Sequence, residues 1–444
     1  MRARGKGVGR AAAAGIVTLL VAASWIAAYR LAAGTSSAAG VYLLTSGVLV
    51  VMLILTAWPR TFGRLEVARG RVVAIVPSYN EDQAALNATI AALLNSSRPP
   101  DEVHVVDDGS AVWATKFAHP NVFWHRQANA GKREAQALVL YYLRDQERTY
   151  GRRRADFILT VDSDSVVDRR AIRHLLRAMS DPRVQAATGL PLVRNRRANW
   201  ITRLVDLEMV SACLTLRAAR SRMGVVAPCS GALSLYRAEL VMDNLDDYVA
   251  SGTAGDDRRL THYALQRGQA VAVDEAHVYT DMPDTMKGFY RQRVRWYRSY
   301  WLYALWEVAH LRRLPMLWRV YATVMSFLAP IALLWAFLVA PILGQGLVWE
   351  GLAYWLGLSY AVGIRYVLRH PSAPVGERLM IWLLGTPLLM LLQLLVIRPA
   401  MWQALVQARQ TGWVTRGSSV AATAAQPTMP GRKERVGLFA PIGR

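Results

Sequence analysis

Cysteine is nearly absent: 444 residues hold two, Cys213 and Cys229. Two thiols cannot build a disulfide framework, and their spacing matches no zinc motif, so packed thiols in a reducing compartment are expected. Acid is scarce as well, with 31 Asp+Glu against 53 Lys+Arg, a formal charge of +22. With 53% hydrophobic and only 19% charged residues, the chain is too apolar to be disordered as a whole. The charge suits an anionic partner: nucleic acid, phospholipid or nucleotide. No G-x-x-x-x-G-K-[ST] loop occurs, which leaves an ATPase or GTPase without support. No internal repeat is evident.

The apolar excess is concentrated at the two ends. Residues 11–33 carry one charge, Arg30, and residues 38–58 carry none; each matches the ~20 residues that cross a bilayer. A cleaved signal peptide is the competing reading of the first run, but the second follows after the uncharged turn 34–37, as in a transmembrane hairpin. Arg2, Arg4, Lys6 and Arg10 before it, and Arg60, Arg64, Arg69 and Arg71 after it, put both flanks in the cytoplasm. Residues 317–343 and 346–368 are two more candidate spans, the second holding Glu350 and Arg365 at depths where side chains can snorkel. The run 379–405, too short for two spans, contains Gly385, Pro387, Arg398 and Pro399; a broken, re-entrant or interfacial path is expected, with bends at the prolines. After residue 420 the tail is small, polar and expected to be disordered. The domain expectation is therefore 1–58 hairpin, 59–313 cytosolic domain with interfacial helices, 314–405 transmembrane region and 406–444 cytosolic tail.

Between the apolar ends, strand and helix patterns alternate. Strands are expected at 72–76, 103–106, 122–125 and 157–161, and helices at 84–94 and 133–148, which implies an α/β domain with a mostly parallel sheet covered on both faces. Three strands run straight into polar stretches, Pro77-Ser78-Tyr79-Asn80-Glu81, Asp107-Asp108-Gly109-Ser110 and Asp162-Ser163-Asp164, while the third strand leads through Asn129-Ala130-Gly131-Lys132-Arg133 into a helix. Each alone reads as an ordinary turn. Together they load the carboxyl edge of one sheet, where open α/β folds bind ligands, with a lysine and backbone N–H groups expected to hold phosphate. Asp162 and Asp164, two residues apart, can face one hard divalent cation, Mg²⁺ or Mn²⁺. A metal-assisted nucleotide diphosphate leaving group points to glycosyl transfer from a sugar nucleotide.

The ordered runs VPSYNED (76–82), VDDGS (106–110), NAGKR (129–133), VDSDS (161–165), CSGALSLYR (229–237), GDDRRLT (255–261) and QRVRW (292–296) resemble the motif set of membrane-embedded processive family 2 glycosyltransferases, nearest to hyaluronan synthases and chitin-oligosaccharide synthases. GWVTR (412–416) resembles the family's W-G-T-R tail signature, departing at Val414, and Arg293 stands where hyaluronan synthases usually have Gln. The resemblance implies a GT-A type domain between transmembrane helices. It implies donor and nucleotide contacts from Tyr79, Glu81, Asp107, Asp108, Lys132, Asp162 and Arg295, and acceptor contacts from Ser230, Gly231, Gln292 and Trp296. Asp162 and Asp164 would hold the metal and Asp257 would be the single general base of an inverting hexosyltransferase. The implied partners are UDP-N-acetylglucosamine, UDP-glucuronate, the growing polysaccharide and membrane lipids. The implied location is the plasma membrane, multi-pass, with a cytoplasmic catalytic domain. A chitin-type synthase using UDP-N-acetylglucosamine alone is the alternative product reading. A transporter without transferase activity would not need the loaded sheet edge. No nucleic-acid partner is expected, because many basic residues cluster at membrane flanks.

Overall fold

The computed structural model describes residues 36–57, 60–252 and 255–408. The expected span at 11–33, the GWVTR run and the tail after 420 lie outside the described residues. Among the described residues there are eight strands, β1 (Val72–Ser78), β2 (Glu102–Asp107), β3 (Val122–Arg126), β4 (Phe157–Thr160), β5 (Val166–Val167), β6 (Val184–Val193), β7 (Ser234–Arg237) and β8 (Gln269–Thr280). They form one sheet in the order β3-β2-β1-β4-β7-β6-β8-β5. β3, β2, β1 and β4 run parallel to one another, so their carboxyl ends share one edge as expected. Beyond β4 the sheet is mixed: β7 is antiparallel to β4 and β6, and β5 to β8. The alternation of strands and helices could not reveal this, since a helical segment at 200–222 separates β6 from β7 and yet the two strands pair antiparallel.

β1 is buried along its whole length because both faces are covered, which is why its sequence is an unbroken apolar run. Val72, Ala74 and Val76 face Leu86, Ile90 and Leu93 of α2 (Gln83–Leu94) and Leu175 and Leu176 of a later helix. Val73 and Ile75 face Val139, Leu140 and Leu143 on the other side. The helices are α1 (Ser36–Ala57), α2, α3 (Lys132–Tyr150), α4 (Ala171–Met179), α5 (Trp200–Ser211), α6 (Ala218–Arg222), α7 (Ala238–Asp243), α8 (Leu245–Ala250), α9 (Asp256–Arg267), α10 (Met286–Leu302) and α11 (Ala304–His310), followed by α12 (Arg313–Ile342), α13 (Trp349–Arg369) and α14 (Val375–Val406). α5 passes through a π-helical stretch, Ala212–Arg217, into α6.

Among the described residues, α12 and α14 are the two helices long and apolar enough to cross a membrane. α14 corrects the expectation of a broken path at 379–405: it is one continuous helix with Pro387 inside it. Proline frees the carbonyl four residues before it, here that of Leu383, and the Tyr360 hydroxyl of α13 donates to that carbonyl at 2.8 Å. The ladder survives because the neighbouring helix supplies the lost donor. Near Pro399 the helix passes through a π-helical stretch, Gln393–Ile397, without ending. Arg365 also departs from expectation, since it does not snorkel outward. It is 7% exposed and donates to the Leu53 carbonyl at 3.1 Å and to Thr56 Oγ1 at 3.3 Å, joining α13 to α1.

The sheet domain and the apolar helices meet through α5. Leu207 and Val210 of α5 pack on Leu190 and Leu192 of β6 on one side, and with Tyr366 of α13 and Ile381 of α14 on the other.

Candidate active site

The loops after β1 and β2 are stitched to each other. Asn80, at a φ of 48°, donates its N–H to Ser110 Oγ at 2.8 Å, and the Ala111 N–H donates to Asn80 Oδ1 at 2.9 Å. Asp107 is buried at the end of β2 with one oxygen accepting from the Ser110 N–H; the other, 3.4 Å from Arg126 Nε, makes no hydrogen bond. A buried carboxylate oxygen with unused capacity beside a sheet edge is a ready acceptor for a ligand N–H. Glu81 accepts from Ser163 Oγ at 2.8 Å, tying the β1 loop to the Asp162-Ser163-Asp164 turn. Tyr79 is half-buried in the same loop.

Asp108 turns inward. It accepts from Gln127 Nε2 at 2.7 Å and from the N–H groups of Ala130 and Gly131 at 2.9 and 2.8 Å. Those N–H groups were expected to be free for phosphate. They are instead consumed in holding the loop before α3, so the geometry makes Asp108 a loop anchor, with Lys132 the cation delivered by that loop.

Lys132, the first residue of α3, reaches Asp162 Oδ1 at 2.6 Å and Asp256 Oδ2 at 3.2 Å. Burial alone would lower its pKa, but Asp162 and Asp256 overcome this and hold the ammonium well above its ordinary range. Gly231 packs on the pair: a Cβ there would lie 2.9 Å from Lys132 Nζ and 3.4 Å from both Asp162 carboxylate oxygens. Asp256 and Asp257 open α9. Burial would raise Asp256, and Lys132 and Arg133 keep it low; Asp257 is pushed up to about 6 by burial and by the charge of Asp256. A carboxylate poised near neutrality beside one held ionised is suited to accept a proton.

Asp162 and Asp164 offer hard oxygen donors, and the Asp162 side chain is 36% exposed. Among the described residues no group of three or more His, Cys, Asp or Glu side chains could hold a metal by itself. Two carboxylates suit a cation that completes its shell with phosphate oxygens and water, as Mg²⁺ does. The residues present fit such an ion, with Lys132 sharing one Asp162 oxygen.

In the turn that leads to Gly231, the Ser230 N–H donates to Thr188 Oγ1 at 2.9 Å and the Cys229 N–H to Thr261 Oγ1 at 2.9 Å; Thr261 donates in turn to the Asp257 carbonyl. Arg217, from the π-helical stretch after α5, donates to Thr188 Oγ1 and the Gly189 carbonyl. The Cys229 thiol is fully buried and pushed up to about 11 by that burial, so it packs rather than reacts. α10 closes on the turn before Asp256 and Asp257: a Cβ on Gly255, at a φ of +74°, would meet Ser299 Cβ at 2.6 Å. The preceding turns of α10 carry Gln292, whose Oε1 is buried without a partner, and the exposed Arg295 and Trp296. One face of Trp296 is covered by the Arg293 guanidinium, 4.5 Å from the ring centroid. Arg293 itself is buried and paired with Glu208 of α5.

The structure thus gathers Lys132, Asp162, Gly231 and the Asp256-Asp257 turn at one place. Gln292, Arg295 and Trp296 lie on the helix that abuts that turn. Sequence reading passed over Asp256, which its place beside Asp257 could have signalled. It also passed over Thr188 and Arg217, which lie in no motif and meet the turn only through tertiary packing.

The family described as glycosyltransferase like family 2 matches residues 69–299. The hyaluronan synthase of Streptococcus pyogenes serotype M1 is 32% identical over 368 residues, covering 78% of this chain and 83% of that protein. An N-acetylglucosaminyltransferase of Rhizobium meliloti (strain 1021) is 35% identical over 245 residues, covering 51% and 55%. The crystal structure of S. aureus TarS 1–349 aligns over 78% of this chain and 93% of its own at 14% identity and a TM-score of 0.35.

Proposed function

The chain belongs to family 2 of the glycosyltransferases and is a hexosyltransferase; from that premise we propose that it is a processive inverting polysaccharide synthase of the hyaluronan type. UDP-N-acetylglucosamine and UDP-glucuronate are its donors. The observation that carries the reading is one lysine bridging Asp162 and Asp256, with Asp257 next in sequence and raised toward neutrality.

In this reading Asp107 accepts from the uracil and Asp108 keeps the loop of Lys132 in place. Lys132 meets the diphosphate and Asp162 the ribose. Tyr79, Glu81 and Arg295 complete the donor side. Ser230, Gly231, Gln292 and Trp296 border the acceptor, whose hydroxyl gives its proton to Asp257 as its oxygen attacks the anomeric carbon and the bond to UDP breaks. Asp162 and Asp164 would hold Mg²⁺ or Mn²⁺, which when bound neutralises charge building on the leaving diphosphate. No second catalytic carboxylate is needed for a single displacement, since UDP leaves as an anion.

The proposed layout is a hairpin at 1–58, a cytoplasmic transferase domain at 59–313, a transmembrane region at 314–405 and a cytoplasmic tail at 406–444, in the plasma membrane. The polymer passes outward across it. The lengths and apolarity of α12 and α14 support the membrane assignment.

Purified protein given both donors is expected to make a high-mass polymer sensitive to hyaluronidase, with neither donor sufficient alone. The 35% identity to an N-acetylglucosaminyltransferase supports one second reading, a chitin-type product. A chitinase-sensitive polymer from UDP-N-acetylglucosamine alone would establish that instead.

A further inference from the structure

Glu307 of α11 belongs to none of the motifs and is 2% exposed. A carboxylate so buried persists as an ion only when it is paired, and this one is held from two other helices. Its Oε1 accepts from Arg258 at 3.0 Å and lies 2.8 Å from His262 Nε2, while its Oε2 stands 3.0 Å from Arg319 Nη1. Arg258 and His262 are one turn apart on α9, the helix whose first turn carries Asp257. The Arg258 N–H donates to the Asp257 carboxylate at 2.7 Å. Arg319 belongs to the apolar helix α12. Both guanidiniums face the Tyr300 ring of α10, Arg319 at 3.4 Å and Arg258 at 5.5 Å from its centroid, and Arg319 also donates to the Tyr300 carbonyl. One carboxylate therefore joins the helix of the base, the helix of Gln292 and Trp296, and the apolar helix.

We propose that Glu307 is a positioning residue for Asp257: through Arg258 it fixes the first turn of α9 to α10 and α12, so that the base keeps its place against the acceptor. The inference rests on the transferase reading above and adds a residue to it. The cluster also has an electrostatic consequence. Burial lowers the His262 pKa to about 4, so the imidazole is neutral at working pH. Glu307 is then one negative charge against two guanidiniums. Asp257 itself faces Asp256 and Arg258 of its own helix, Lys132 of α3, Cys229 of the acceptor turn, Tyr236 of β7 and Tyr248 of α8. Of these, Arg258 is the one whose countercharge Glu307 supplies.

The test uses the full chain and follows UDP release from both donors as a function of pH. Wild-type turnover comes first, since its absence would remove the transferase reading rather than this inference. With turnover established, Glu307→Gln keeps the shape of the side chain and removes the charge. kcat is expected to fall on the order of tenfold or more while donor KM changes less than about twofold. The acidic limb of the profile is expected to move down by on the order of half a pH unit, because unbalanced guanidiniums favour ionised Asp257. Arg319→Met removes a positive charge from the same cluster, and its limb is expected to move up. Limbs that stay in place in both variants, with only less folded protein, would show that Glu307 does no more than pack and would overturn the proposal. Should Glu307→Gln fail to fold, the Arg319→Met profile decides alone: an upward shift supports the coupling and an unmoved limb refutes it.

Discussion

Unlike Asp162 and Asp256, Asp257 has no ammonium or guanidinium directly paired with it among the described residues, and burial and Asp256 raise its affinity for a proton more than Lys132 and Arg258 lower it. Asp257→Asn is expected to cost on the order of 10²-fold or more in rate, with UDP affinity, measured by calorimetry, within about twofold of wild type. Collapse of nucleotide binding would mark the residue as structural. In the wild type a base must be unprotonated to act, so the rate should rise with pH through about 6, the value at which Asp257 titrates. A rate already at its plateau at pH 5 would contradict this. Asp107, Lys132 and Asp162 were legible because each polar run followed an apolar strand, so pattern alone put them at one sheet edge, whereas Ser230, Gly231, Asp257, Gln292, Arg295 and Trp296 came only with the family resemblance. What Asp108 does was not legible. Its partners at residues 130 and 131 are backbone groups 22 and 23 positions away, and a sequence carries no mark of which N–H groups a fold will use.

Among elements, α10 shows how a departure from a motif can be absorbed. Arg293 occupies a position where the resembled synthases usually have glutamine, and the structure pairs it with Glu208 of α5, a carboxylate that also accepts from Gln393 of α14. Arg293→Gln is expected to leave Glu208 with one neutral partner and to cost about 3 kcal/mol of stability. Thermal unfolding in detergent would register this, and an unchanged midpoint would show the pair to be idle. The strands and helices of residues 72–160 were readable within a few residues, because covered strands have apolar runs and α3 has helical spacing. The antiparallel setting of β7 was not read and the course of α14 was misread for one common reason. β7 is set antiparallel by its neighbours, and α14 continues through Pro387 because Tyr360 of α13 completes its hydrogen bonding. Partners distant in sequence decide both.

At the scale of the whole molecule, charge is balanced locally where it is buried, and Lys132 already bridges Asp162 and Asp256. A cation and diphosphate entering this site exchange with an ion pair. EDTA is therefore expected to abolish UDP release and added Mg²⁺ or Mn²⁺ to restore it, and full turnover in chelator would dismiss the role of Asp162 and Asp164. The long apolar helices have a mechanical consequence. α12 and α14 have 30 and 32 residues, about 45 and 48 Å at ~1.5 Å per residue, against a hydrocarbon layer of ~30 Å. Set in a bilayer, neither fits upright, so each must lean or project, and the lean follows the thickness of the lipid. Because Arg319 of α12 grips Glu307, thickness would reach the base as a tilt. Reconstituted into phosphatidylcholines of increasing acyl length, the enzyme should release UDP fastest at one intermediate length, and a flat profile would mean that the helices move without disturbing α9.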